Sequence, residues 1–127
     1  IGLFDEVSIP HVLLTHASRS WAERALAHLG LKRFFPDEKI ISLEDTDFLR
    51  KSGSRVPFEK ALSHLKTPPE KTIVVEDIAD NLRIPHEMGM GTILVHYGRP
   101  PVPMPDHVGR DFHNAADFLS SFMEEKI

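Results

Sequence analysis

The sequence predicts an α/β fold built on a parallel sheet. Short apolar runs alternate with segments of helical periodicity, Pro, Gly and Asp punctuate the boundaries, and no repeat or low-complexity tract breaks the alternation. At 127 residues, 41% of them hydrophobic and 27% charged, the chain is about one domain long and can bury a core unaided.

The elements come in the following order. Residues 11–15 (HVLLT) read as a buried strand, ending in a small polar cluster whose Ser18 can cap the next helix. Trp21, Ala22, Ala25, Leu26 and Leu29 then share one face at helical spacing, which makes Trp21 a core residue, and Gly30 stops the helix. Residues 39–43 (KIISL) fit a short second strand. The polar stretch 45–55 lacks periodicity and reads as a loop with one helical turn at 47–51, the kind of segment that often carries function. Residues 58–65 (FEKALSHL) are amphipathic, with Phe58, Ala61, Leu62 and Leu65 on the apolar side, and Pro68 and Pro69 terminate them.

Residues 72–75 (TIVV) form the most strand-like run and read as buried. They lead into Glu76 and Asp77, placing two carboxylates at the carboxyl end of a strand, where open α/β sheets bind ligands. Residues 77–88 predict a helix that Pro85 must shorten or kink and Gly89 ends. Residues 92–96 (TILVH) supply another strand, the prolines at 100, 101, 103 and 105 a stiff connection, His107 and Val108 a minimal edge strand, and 115–123 a closing helix before a frayed tail at 124–127.

Composition narrows the function classes. The absence of cysteine removes disulfides, thiolate zinc sites and cysteine nucleophiles, and points to a reducing cytoplasm. No apolar run approaches the roughly 20 residues of a membrane span, and residues 1–10 lack a signal-peptide pattern. Fifteen Lys and Arg against nineteen Asp and Glu, without a basic block, leave no footprint for nucleic acid. The eight histidines show no HExxH or paired ligand spacing, so zinc is not expected. No G-x-G-x-x-G follows a strand, and Gly89 and Gly91 read as turn residues.

In a parallel sheet three clusters reach the same edge: Thr15 after one strand, Glu76 and Asp77 after another, and the 51–55 loop nearby. A hydroxyl, a cation and paired acids suit a phosphate site. Hydroxyls and backbone N–H groups bind phosphate oxygens, Lys neutralises them, and carboxylates hold Mg²⁺ through oxygen. Each residue also has an ordinary structural reading: Thr15 as a helix cap, Glu76 and Asp77 as complements to a helix dipole, Lys51 and Arg55 as solvated loop charges, His16 as a surface histidine.

From His11 to about Val108 the sequence resembles the haloacid dehalogenase-like (HAD) hydrolases, a phosphatase-rich superfamily. VLLTHAS with Thr15 resembles its second motif, Lys51 ahead of PFEKAL its third, and VVEDIADNL followed by MGMGTILV its fourth. Within the superfamily the order is most similar to the pyrimidine 5′-nucleotidase-like branch. The resemblance implies a three-layer α/β/α Rossmann-like parallel sheet and Mg²⁺-dependent hydrolysis of a phosphomonoester through an aspartyl-phosphate. Thr15 and Lys51 would be catalytic, with Thr15 bonding the transferring phosphoryl group and Lys51 neutralising it. His16 and Arg55 would join Thr15 in contacting substrate. Asp77 would bind Mg²⁺, supported by Glu76 and by Asn81, which shares its face in a helix starting near Asp77. The substrate would be a small phosphorylated metabolite, such as a nucleotide.

Three departures accompany the match. His16 stands where many relatives carry Asn, and the interval from Lys51 to Phe58 is one residue longer than usual, leaving Arg55 as a rival cation. The first motif, a strand ending in Asp-x-Asp that supplies the nucleophile, does not precede Thr15. Asp5 imitates it, but Val7 replaces the second Asp, and the few residues before the next strand are too short for a parallel crossover. Residues 1–10 therefore read as the end of a cap or linker, and 11–123 as a core portion incomplete at its central first strand. In this family's sheet that strand lies between the one ending at Thr15 and the one ending at Asp77. An N-terminal segment of the same protein is the expected partner, and the chain alone is expected to be inactive. The alternative is a non-catalytic HAD-like domain with a binding or structural role; a response-regulator-like domain would also lack its receiver Asp.

Overall fold

The structure, a computed structural model, describes residues 10–126. Residues 1–9, with the cap-or-linker reading and Asp5, lie outside the described residues, as does Ile127. The chain divides into two compact units, one closing at Thr67 and one beginning at Pro68. Among the described residues no helix is long and apolar enough to cross a membrane.

In the N-terminal unit, strand β1 (Leu13–Leu14) and strand β2 (Ile40–Ile41) pair in parallel, with Leu13 opposite Ile40 and Leu14 opposite Ile41. Both are shorter than the apolar runs that announced them, and β1 is half-buried rather than buried. Helix α1 (Arg19–Leu29) connects them. Ser18 caps it as expected, its Oγ accepting from the Trp21 N–H at 3.3 Å. Gly30 closes it at φ 74°, with Gly30 N–H donating to Ala27 O at 3.2 Å and Leu31 N–H to Leu26 O at 2.8 Å. These are the paired bonds that satisfy a helix's last carbonyls when the next residue turns left-handed.

Ala22 and Leu26 pack with Ile40 as the core, flanked by Leu13, Leu31 and Phe35. Trp21 is not core: it is 60% exposed, and Leu29 is 66% exposed. One residue turns a helix by about 100°, so facing Ala22 and Leu26 inward leaves Trp21 on the flank.

The predicted turn at 47–51 is displaced to a 3₁₀ turn at Glu44–Thr46, after which Asp47 (φ 53°) and Phe48 (φ 62°) both adopt left-handed backbone. Arg19 braces this segment. Its guanidinium donates to Asp37 O at 3.1 Å, Ile40 O at 2.7 Å and Asp45 Oδ2 at 2.7 Å, while its backbone N–H meets Glu44 Oε1 at 3.0 Å. Helix α2 (Val56–Leu65) starts two residues before the periodic run, with Pro57 in its first turn, where a missing N–H costs nothing. Phe58 and Ala61 are buried, and Leu62 and Leu65 half-buried. The stop is Lys66 in left-handed conformation (φ 57°), ahead of the two prolines.

In the C-terminal unit, strands β3 (Ile73–Glu76), β4 (Gly91–Val95) and β5 (Arg110–Phe112) form a parallel sheet in the order β3-β4-β5. Val75 lies opposite Ile93, and Ile93 opposite Arg110. β3 is not buried as predicted: Ile73 is 59% exposed and Val75 46%, and alternate residues share one face. The edge strand expected at His107 and Val108 begins at Arg110 instead. Thr92 explains the shift, since its hydroxyl donates to His107 O at 2.7 Å and accepts from Gly109 N–H at 2.9 Å, clamping 107–109 against the start of β4.

The helix expected over 77–88 is a 3₁₀ turn (Ala79–Leu82) followed by the short helix α3 (Arg83–Glu87). Pro85 sits in the first turn of α3, the one place its absent N–H is harmless, and so keeps the helix from starting earlier. Gly89 comes after it at φ 94°. Helix α4 (Ala115–Lys126) opens on Asn114, whose Oδ1 accepts from Asp117 N–H at 2.8 Å, and extends through most of the predicted tail. The rings of Phe112 and Phe118, 5.5 Å apart and edge to face, pack β5 against α4.

Among the described residues the two sheets are separate ladders, β1 standing at one end of the first and β3 at one end of the second.

Candidate functional site

Three of the expected site residues converge at the carboxyl end of β1. Thr15 continues the β1–β2 pairing, its N–H donating to Ile41 O at 3.0 Å. Its Oγ1 accepts from Ala17 N–H at 3.0 Å. The cap of α1 is supplied by Ser18, so Thr15 does not cap that helix; its hydroxyl proton remains available to donate.

Lys51 lies 36 residues beyond Thr15 in sequence yet returns to the same strand end. Its Nζ donates to Leu14 O at 3.4 Å, and its backbone N–H donates to His16 Nε2 at 2.7 Å. Lys51 is only 9% exposed, an unusual state for a lysine, which is almost never fully buried unless paired. Arg55, the rival cation, is exposed and stands immediately before α2, with Ser54 Oγ accepting from Val56 N–H at 3.1 Å beside it. The structure thus brings Lys51, and not Arg55, against Leu14 and His16, the two neighbours of Thr15 in sequence.

His16 is half-buried. Burial lowers its pKa below the ordinary histidine value, and the nearby positive charges of Lys51 and Arg50 lower it further. The imidazole is therefore held neutral.

The acids belong to the C-terminal unit. Glu76 ends β3 and Asp77 follows it, half-buried and exposed respectively, with Asp77 N–H donating to Glu76 Oε1 at 3.1 Å. Asn81 is 5% exposed and sits in the 3₁₀ turn, its N–H bonded to Ile78 O at 3.0 Å. The shared helical face expected for Asp77 and Asn81 does not exist, because Ile78 is extended (φ −114°, ψ 114°) and no helix starts at Asp77.

Among the described residues no group of three His, Asp or Glu side chains converges as a metal site. The donor chemistry of Glu76 and Asp77 nonetheless fits Mg²⁺, which prefers oxygen, keeps several waters and is commonly bound through one or two carboxylates. Asn81 would add an amide oxygen of the same kind.

Arg19 and Asp45, which hold the segment leading to Lys51, were not singled out from the sequence. The usable signal was Ser42 three residues before Asp45, a spacing at which a carboxylate accepts from backbone: Asp45 Oδ2 takes both Ser42 N–H and Ser42 Oγ at 2.9 Å.

Residues 4–89, more than half of the chain, match the haloacid dehalogenase-like hydrolase family. A search of curated proteins finds no match. Among solved structures, a conserved haloacid dehalogenase-like protein of unknown function from Agrobacterium tumefaciens superposes with a TM-score of 0.72 at 18% identity, covering 98% of this chain and 58% of that one. That likeness concerns the fold, which is α/β and Rossmann-like, and the chain spans little more than half the length of the relative.

Proposed function

The chain belongs to the haloacid dehalogenase-like hydrolases, and from that premise we propose that it is part of a cytoplasmic Mg²⁺-dependent phosphomonoester hydrolase of the pyrimidine 5′-nucleotidase-like kind. The substrate is a small phosphorylated metabolite such as a nucleotide. The observation that carries the reading is the return of Lys51 to the end of β1, where its ammonium bonds Leu14 O and its amide bonds His16, on either side of Thr15 in sequence.

The chemistry follows from the groups. Thr15 Oγ1, already accepting from Ala17 N–H, donates its proton to a phosphoryl oxygen. Lys51 places a positive charge at the strand end with little surrounding water, where it neutralises phosphate more effectively than an exposed cation would. Glu76 and Asp77, with Asn81, would hold Mg²⁺, which supplies positive charge that offsets the negative charge of a phosphate. An Asp nucleophile would form the aspartyl-phosphate, and the sequence ahead of Thr15 contains Asp5 but no Asp-x-Asp.

The test is phosphate release from a panel of nucleoside monophosphates and simple phosphomonoesters by the intact protein with Mg²⁺. Thr15→Ala and Lys51→Met are each expected to lower kcat/KM by about 10²-fold, the usual loss when one donor to a developing negative charge is removed. Unchanged activity in both variants would remove the cluster from the mechanism. A folded intact protein that neither binds Mg²⁺ nor releases phosphate would establish the second reading, a non-catalytic domain.

A further inference from the structure

We propose that His16 is a positioning residue for Lys51: the hydrogen bond from the Lys51 backbone N–H to His16 Nε2 fixes the cation-bearing loop, and protonation of the ring at that nitrogen releases it. The proposal rests on the phosphatase reading for its catalytic consequence, and on the geometry alone for the coupling.

A backbone N–H can only donate, so Nε2, 2.7 Å away, must be the unprotonated nitrogen, and the ring's single proton resides on Nδ1. Only one tautomer of the neutral imidazole satisfies this contact. The bond joins residues 35 positions apart, tying the turn after β1 to the segment that leads into α2. Lys51 is thereby held through its amide by His16 and through its ammonium by Leu14 O.

Arrival of a proton at Nε2 sets an N–H against an N–H. It also adds a positive charge to a half-buried ring that already feels the Lys51 ammonium and the Arg50 guanidinium. The amide of Lys51 then loses the His16 acceptor, and the tie between the turn after β1 and the Lys51 loop is weakened. The sign is fixed by the lowered pKa. Through the window between the folded-state value and the ordinary value near about 6.5, the unfolded chain binds more protons. The neutral tie is therefore complete at and above neutral pH and is lost as pH falls.

Two measurements on the intact protein decide the matter. Long-range ¹H–¹⁵N spectra should show His16 as the Nδ1–H tautomer at pH 8, with the Lys51 amide resonance moving at the same midpoint as the His16 ring. In the pH profile of kcat/KM with a nucleoside monophosphate, an acid limb should share that midpoint and fall about tenfold per pH unit below it. An Asn carbonyl accepts from the Lys51 N–H at every pH, so His16→Asn should abolish that limb and exceed His16→Ala in activity at pH 8.

A Lys51 amide indifferent to His16 titration, or an acid limb unchanged in His16→Asn, would overturn the proposal. Should the intact protein hydrolyse no phosphomonoester, the phosphatase reading fails, and the resonances alone decide: a shared midpoint upholds the tie, independent midpoints refute it.

Discussion

Gly30 and Gly109 are both required, for different physical reasons. Gly30 stands at φ 74° with nothing near its missing Cβ, so only backbone conformation excludes a side chain there. Gly109 has ordinary backbone, but a Cβ would lie 3.0 Å from Thr92 O and 3.3 Å from Thr92 Oγ1. Gly30→Ala should cost about 1 kcal/mol, the left-handed penalty for an L residue less the gain in chain stiffness. Gly109→Ala should cost about 1–3 kcal/mol by forcing β5 off its clamp. Urea unfolding of the two variants checks both, and a Gly109→Ala as stable as the parent would refute the clamp. At this scale the sequence was legible where chemistry is local: Ser18 and Gly30 announce the ends of α1 by type and spacing. The approach of Lys51 to β1 was not legible, because it is a long-range contact that no local spacing encodes.

Among the elements, the 3₁₀ turn Glu44–Thr46 shows how charge holds an irregular segment. The Ser42 backbone N–H, then the Arg19 guanidinium, hold Asp45 below the usual carboxylate range, against the opposing effect of burial. A lowered carboxylate pKa contributes stability that is present above the unfolded value and lost as pH falls through the folded one. The protein should therefore lose stability on acidification below the ordinary Asp range of about 4, and Asp45→Asn should show a shallower loss. Chemical denaturation between pH 6 and pH 3 measures the difference, and parallel curves would contradict it.

The same scale contains the largest departures from the sequence reading. Residues 77–88 carry helical spacing, yet Pro85 confines the helix to Arg83–Glu87 and the preceding turn tightens to 3₁₀. Apolar runs marked each strand, except β5, which the Thr92 clamp moves beyond His107 and Val108. Strand lengths were overread, since an apolar run records which residues avoid water and not how far a ladder continues.

For the whole molecule, parallel pairing in both ladders is what the alternation of apolar runs and helical segments predicts, and membership of the family agrees with it. The motif order THAS, Lys51, VVEDIADNL was readable because each motif is contiguous in sequence. Burial was not. Trp21, Leu29, Ile73 and Val75 were expected inside and are exposed, because burial depends on what covers a face and not on the residue that forms it.

A role for Asp77 and Glu76 in a Mg²⁺-dependent phosphatase is measured by phosphate release from the intact protein as Mg²⁺ is titrated, for the parent and for Asp77→Asn. Release from the parent should saturate with Mg²⁺ and stop on chelation. In Asp77→Asn the release should fall by about 10²-fold or more, as for loss of a group that holds charge at the reacting phosphate. Release of equal rate in both proteins without Mg²⁺, or no release from any phosphomonoester, would contradict it.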